Sequence, residues 1–459
     1  MVALFAGGGE DDPLTATVLD RARDLLLDHV GVTLGGVPEA SSRAVRAALA
    51  ILGGQGDATV LGTPVRLPAA DAALANGAAA HALEMDDTHQ GGSIHLGAAV
   101  IPAALAASEL RPVSGATLLR AVVAGYEVAG RLAMALDPAA HYERGFHPTG
   151  TCGVFGAATA AGLLLGLDAA GVCAALGVAG SQAAGSLEFL ADGAWTKRLH
   201  PGWAAHGGLH AAVLARAGFA APATIFEGRF GTLRAYSDRA RAEALCEAGE
   251  LVLMRTGIKP HACCRYAQGP IDAVLRLRAR HGLDPRAVAR IDVGVVDAAF
   301  AIICEPLAAK RRPGSVVDAQ FSLPFSVAVA LVDGGAGPDR FTPARAGDPL
   351  VRQVMDVVEP AHDAALTARY PTVWPAWVRI TLRDGRRFEE HVEHATGDPE
   401  RFPTPGELDV KFRALAGRSL AADEVTALAA TLAGVRELPD ARMLLRRAAP
   451  GVSPSTTSA

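Results

Sequence analysis

The sequence predicts a mainly α protein with an α+β insertion: a large all-helical domain built from both chain ends, carrying a smaller α+β lid domain. Three observations lead there. Apolar residues recur at helical spacing through most of the chain before position 260 and again after 407, whereas 290–297 and 377–392 alternate apolar and polar residues as strands do. At 459 residues the chain exceeds the roughly 250–300 residues at which one hydrophobic core stops growing, so two domains are expected. Half of the residues are hydrophobic and a fifth are charged, which is a globular rather than a disordered composition.

Taken in order, the first helix is expected over 13–32, with Asp12 as N-cap, Pro13 at the first helical position, and Val18, Leu25, Leu26, Val30 and Val32 on its buried face. Helices over 41–52, 69–83, 97–110 and 116–136 follow from the same periodicity. Between 149 and 181 the only charge is Asp168, which raises the question of a transmembrane hairpin. Gly and Ala dominate there, the Gly166-Leu167-Asp168 break is short, and no cationic loop marks an inside face, so two core helices packed through small residues are expected instead. A polar turn over 192–202 leads into a helix over 203–219. Further on, a helix over 270–281, a strand over 290–297, an apolar helix over 318–332 and a hairpin turning at Arg383-Asp384-Gly385 make up the insertion. Helices return over 407–416 and 422–433. The resulting boundaries are 1–264 and 397–450 for the helical domain, 265–396 for the lid, and 451–459 for a disordered tail.

Composition excludes several classes of function. A net charge of -5 with 5% aromatic residues leaves no basic footprint for nucleic acid. Residues 1–14 run through Gly7-Gly8-Gly9 and Glu10-Asp11-Asp12 rather than a basic and then apolar leader, so a cytoplasmic protein with no membrane partner is expected. The six cysteines form no CxxC pair, and Cys263 and Cys264 are adjacent, so neither a zinc knuckle nor an iron–sulfur run is present and no iron–sulfur cofactor is expected.

Four segments concentrate reactive side chains. DGAWTKRLHPGWAAHGG (192–208) sets Lys197, Arg198, His200 and His206 between apolar stretches. Lys197 and Arg198 suit an anion clamp, with Leu199-His200-Pro201-Gly202 as a turn that lets backbone and imidazole approach a ligand. A solvated loop is the plainer reading, and Trp195 and Trp203 weigh against it as rings of a partly buried site. HALEMDDTHQGGSIHLG (81–97) carries Glu84, Asp86, Asp87, Thr88, His89 and His95, more than helix capping alone uses. They suit orienting a base, with a divalent metal as the lesser alternative because no HExxH-like spacing is present; no metal or other cofactor is expected. HYERGFHPTGTCG (141–153) places His147 just before a buried helix, where a helix N-terminus favours anions. KPHACCRY (259–266) sets Lys259, His261 and Arg265 at the proposed domain junction, and its cysteines are packing residues rather than nucleophiles. Histidines that titrate near neutrality, carboxylates to orient them and fixed cations together suit proton abstraction next to a carboxylate, with Lys or Arg offsetting the developing dianion. A polycarboxylate is the natural substrate.

The chain also resembles the MmgE/PrpD family, on NGAAAHALEMDDTH (76–89), His95-x-Gly97, GYEVAGR (125–131), GFHPTG (145–150), WTKRLHPGWAAHGG (195–208), KPHACC (259–264) and FSLPFSVAVAL (321–331). The resemblance implies a homodimer and a metal-independent lyase, most simply a hydro-lyase like 2-methylcitrate dehydratase. The alternatives are an epimerase or a decarboxylase of a related di- or tricarboxylate. Carried over by motif, it implies a pocket of Glu84, Thr88, His95, His147 and Lys197, with Asp86 and Asp87 in support. His95 or His147 would move the proton, Lys197 and Arg198 would hold carboxylates, and His89, His200, Lys259 and His261 would line the substrate. Two departures stand out: Glu84 replaces the usual Asp, and Phe325 replaces the Tyr of decarboxylase-type members.

Overall fold

In the computed structural model, which describes residues 14–450, helix accounts for 58% of the structure, far above the roughly one third of an ordinary globular domain. The N-terminal helix runs Ala16–Gly36. Its cap is Thr15, whose hydroxyl accepts from the Val18 amide at 3.3 Å; Asp12 and Pro13, the expected start signal, lie outside the described residues, as does the 451–459 tail. Helices Ala40–Leu52, Ala69–Ala80, Gly97–Leu110 and Gly115–Ala135 follow where periodicity places them. The segment taken as two core helices forms Gly153–Leu164 and Ala169–Ala179, and no helix among the described residues is long and apolar enough to cross a membrane.

The helix Thr196–Arg216 packs against Ala69–Ala80, Gly97–Leu110 and Gly153–Leu164, and it corrects the sequence reading. It starts at Thr196 rather than 203 and runs straight through Leu199-His200-Pro201-Gly202, which is helix and not a turn. Pro201 forfeits one backbone hydrogen bond there, but neighbours on several sides outweigh its local preference. Gly202 has a second use. A Cβ on it would sit 2.4 Å from the Leu74 carbonyl oxygen, and one on Gly77 would sit 2.6 Å from the Gly202 Cα. Only glycines let these two helices cross so closely, and the crossing brings the first turn of Thr196–Arg216 down onto the end of Ala69–Ala80.

Two apolar cores organise the chain. The first draws on residues from Leu14 to Ile258 and again from Leu408 to Ala448, so both ends of the chain share it. The second runs from Ala262 to Ala395 and takes in Val32, Leu83, Met85 and Leu415. It contains a four-stranded sheet in the order Val358–His362, Val288–Val295, Ala376–Leu382, Arg387–Val392, with the first pair parallel and the others antiparallel. Gln268–His281 and Leu323–Asp333 pack on it. The strand Val358–His362 has no counterpart in the sequence reading, because VEPAH alternates weakly and contains a proline. The helix expected over 318–332 is two, Val316–Gln320 and Leu323–Asp333, split where the Ser322 hydroxyl accepts from the Phe325 amide and Pro324 enters the next first turn. Leu83 and Met85 reach the second core while the helix before them joins the first through Ala73 and a small third cluster through Ala72, Leu74 and Ala75, so the residue between them, Glu84, stands at the seam.

Candidate active site

Glu84 follows the helix Ala69–Ala80 with φ of 55°, a left-handed conformation that costs a non-glycine residue free energy and turns its side chain into the seam. There its carboxylate meets two buried ammonium groups. Lys197, in the first turn of Thr196–Arg216, donates to Oε1 in a short contact, and Lys259 donates to Oε2 at 3.2 Å. Lys259 also lies 3.1 Å from Oδ1 of Asp86. Burial opposes ionisation of both carboxylates, yet the lysines and His81 outweigh it and hold Glu84 and Asp86 below the usual range. Burial likewise lowers Lys197, while Asp86 and Glu84 more than offset burial at Lys259 and raise it. Lys411, from the helix Pro405–Ala416, props this loop by donating to the Met85 carbonyl at 2.8 Å while pairing with Asp28 at 2.6 Å.

Beside the ion cluster stand three imidazoles. Nδ1 of His81 lies 2.6 Å from Oδ2 of Asp86. An ionised carboxylate only accepts, so the hydrogen is on Nδ1 and Nε2 carries the lone pair. His95 donates from Nδ1 to the Asp87 backbone carbonyl at 2.7 Å, with the Thr88 hydroxyl at 3.2 Å and Asp86 Oδ2 at 3.5 Å. Nδ1 of His147 lies 3.0 Å from Nδ1 of His200. Ring centroids of His81 lie 4.8 Å from His95 and 5.8 Å from His147. Burial lowers all three, and His200 to about 4, so the rings are neutral at pH 7.

One nitrogen from each of His81, His95 and His147 lies within 4.8 Å of the other two, the donor chemistry a transition metal uses. Zinc–nitrogen bonds of about 2.0–2.1 Å call for donors about 3.4 Å apart, so the rings would have to draw together to hold such an ion. The neighbouring lysines oppose a divalent cation there.

The structure thus brings Glu84, Asp86, Thr88, His95, His147, Lys197, His200 and Lys259 to one place. Others expected there lie elsewhere. Arg198 is buried, but its guanidinium donates to Ser41 Oγ at 3.2 Å and Gln320 Oε1 at 2.9 Å; adjacent residues on a helix point about 100° apart, so it cannot share the direction of Lys197. The Asp87 carboxylate accepts from the Gly97 amide at 3.0 Å and the Tyr126 hydroxyl at 2.6 Å, so only its backbone carbonyl orients an imidazole. Burial pushes that carboxyl up to about 7, further helped by Asp86. His89 faces the other way, into a cavity of about 580 Å³ that includes Arg241, Arg255 and Tyr370, and its Nδ1 accepts from the Gly92 amide at 3.0 Å. His261 pairs with Asp272 at 3.2 Å. Trp195 and Trp203 are 47% and 50% exposed, so they are not walls of a buried site. Phe325 is fully buried with its ring against Phe341 at 5.4 Å. The sequence reading passed over His81 and Lys411; His81 stands five residues before Asp86, the one signal that could have marked it.

Comparison with known proteins follows this geometry. A cis-aconitate decarboxylase of Mus musculus is 29% identical over 459 residues, covering 96% of this chain and 92% of that protein. The Homo sapiens cis-aconitate decarboxylase is 28% identical, covering 94% and 90%, and one from Aspergillus terreus (strain NIH 2624 / FGSC A1156) is 28% identical, covering 88% and 86%. The MmgE/PrpD N-terminal domain profile matches residues 2–245 and the C-terminal domain profile matches 261–433. With the two profiles together covering nearly its whole length, the chain belongs to the MmgE/PrpD family.

Proposed function

We propose that this protein is a lyase that removes carbon dioxide from a small unsaturated tricarboxylate of the cis-aconitate type. One observation carries the reading: two buried ammonium groups, Lys197 and Lys259, stand beside three neutral imidazoles in a dry seam. Loss of a carboxylate as carbon dioxide leaves an electron pair that spreads toward a second carboxylate. Fixed cations offset that charge far better in a dry site than in water, and an imidazole supplies the proton that completes the product. The relatives named above support decarboxylation over dehydration. In this reading segment 265–396 acts as the lid, and Lys259 stands on the seam at the junction just before it.

A dehydratase acting on a 2-methylcitrate-like substrate is the second reading. It is favoured by Phe325, which offers no hydroxyl, and by Glu84, whose extra methylene reaches Lys197. Proton NMR of products from cis-aconitate and from methylcitrate decides between them. Carbon dioxide release from cis-aconitate with a new methylene group supports the first, water loss from methylcitrate supports the second, and turnover of neither ends both.

The resemblance further carries a homodimer, and the outer face of Thr196–Arg216 offers a surface for it: Leu199, Trp203, Val213 and Leu214 are exposed along one helix, with Trp195 just ahead of it. Sedimentation checks this. Wild type should run as a dimer and a Leu199→Glu/Trp203→Glu protein as a monomer.

A further inference from the structure

We propose that His81, held by Asp86, is the group through which the proton moves. The inference rests on the lyase reading above and goes beyond it, because the motif resemblance points to His95 and His147 instead. Three facts separate His81 from its neighbours.

First, Nε2 of His81 is wholly buried and has no hydrogen-bond partner among the described residues. A buried polar atom left unpaired is costly, and natural proteins keep one where it has a use. Second, the partner on the other nitrogen differs in kind. Only His81 has a carboxylate within 2.6 Å; Nδ1 of His95 is spent on a backbone carbonyl, and His147 faces another neutral ring. When a ring takes up a proton it becomes a cation, and a full negative charge at Nδ1 offsets that cation more than a peptide dipole or an imidazole does. Third, Lys259 sits 3.1 Å from the other oxygen of Asp86. That contact keeps Asp86 ionised, so the carboxylate steadies the imidazolium without taking its proton, the division of labour seen wherever an Asp backs a catalytic His.

The ring is also placed to act. Nε2 is on the ring edge away from Asp86, the ring stacks against His147 and meets His95 edge-on, and Lys197 is near enough to act electrostatically on all three imidazoles. Neutral His81 first takes up a proton from solvent at Nε2, and the imidazolium so formed, steadied by Asp86, gives that proton to the substrate carbon at the far end of the allylic system. At the same time the bond from carbon to the departing carboxylate breaks, its electron pair shifts the double bond, and carbon dioxide leaves. His81 is left neutral with its lone pair back on Nε2, and each turnover consumes one proton from solvent.

The test compares wild type, His81→Gln and Asp86→Asn on cis-aconitate and methylcitrate, reading kcat and KM separately and checking binding by the rise in melting temperature with each substrate. His81→Gln should lower kcat on the order of 10²–10³-fold, with KM changed by less than about threefold, since general acid catalysis contributes at that scale. Asp86→Asn should lower kcat in the same way while still binding. A His81→Gln protein that folds, binds and keeps kcat within about tenfold overturns the proposal but leaves the lyase reading standing. Where His81→Gln does not fold, Asp86→Asn decides, because it keeps the shape of the side chain, and full kcat from it overturns the proposal. A wild type that turns over neither substrate overturns the lyase reading, and this inference with it.

Discussion

His95 and His89 stand six positions apart in one polar segment, are both buried and both neutral, and face opposite ways. The reason is a two-residue strand. Thr88 and His89 pair with Gly257 and Thr256, and successive strand residues point to opposite sides. Thr88 falls on the side of His95, whose Nδ1 is 3.2 Å from its hydroxyl, and His89 falls on the side of the cavity with Arg241 and Arg255. On the first side every charge is buried and opposed by another. On the second, Arg255 reaches the half-buried Glu400 at 2.8 Å, and His89 only steadies the Gly92 turn. Identical residue types therefore face the proposed reaction site on one side and hold backbone on the other, and what distinguishes them is alternation rather than composition.

The largest effect should come from removing a charge on the first side. Lys197→Ala leaves Glu84 with one ammonium instead of two in a dry seam, and takes away a cation that offsets the developing charge. Loss of activity on the order of 10³-fold or more is expected. His89→Ala should keep kcat and KM within about threefold, a change below 1 kcal/mol. Steady-state kinetics on the two variants checks the contrast; equal losses would erase the distinction between the sides.

Stability should follow pH on both sides, with opposite signs for acids and bases. Burial lowers His89 from 6.5 to about 4. Below pH 6.5 the unfolded chain takes a proton there that the native protein refuses, so stability present above pH 6.5 is lost as pH falls toward 4, by about 3 kcal/mol for this one ring. His29, lowered to about 3, and the three site imidazoles act in the same sense. His89→Phe should remove its share of this acid sensitivity in melting curves from pH 7 to pH 4 without touching activity. Asp87 works the other way. Its carboxyl is raised from 3.8 to about 7, so its contribution to stability falls as pH rises across that window. Asp87→Asn should flatten that fall, since an amide oxygen still accepts from Gly97 and its NH₂ can meet Tyr126.

Much of this was legible in the sequence, and the failures have physical causes. Helix positions followed from periodicity, and the polar segments at 81–97, 141–153, 192–208 and 259–266 do meet at or near the seam. Leu199-His200-Pro201-Gly202 was misread because local proline and glycine preferences yield to packing on several sides. Arg198 was misplaced because adjacency in sequence is divergence on a helix. Trp195 and Trp203 were taken for site walls although size alone does not say which face is outward. His81 was missed because it reads as the end of a helix, and its 2.6 Å contact with Asp86 leaves only their five-residue spacing as a signal.

The smallest effect expected on the first side, and the one that sharpens the comparison most, concerns Glu84. In wild type its carboxylate occupies Lys197, so a substrate carboxylate must compete with it for the same ammonium. Glu84→Asp keeps the charge and tolerates the left-handed backbone, because Asp is among the residues that visit φ near 55°. It draws the carboxyl back by one methylene, which loosens the contact to Lys197. The freed ammonium should then lower KM for a tricarboxylate by about three- to tenfold, up to roughly 1.4 kcal/mol, with little change in kcat. Lys197→Ala and Glu84→Asp touch the same ion pair and are expected to move activity in opposite directions. An unchanged KM in Glu84→Asp would mean that substrate never contends with Glu84 for Lys197, and that the pair is a fixed strut of the seam rather than a latch that substrate opens.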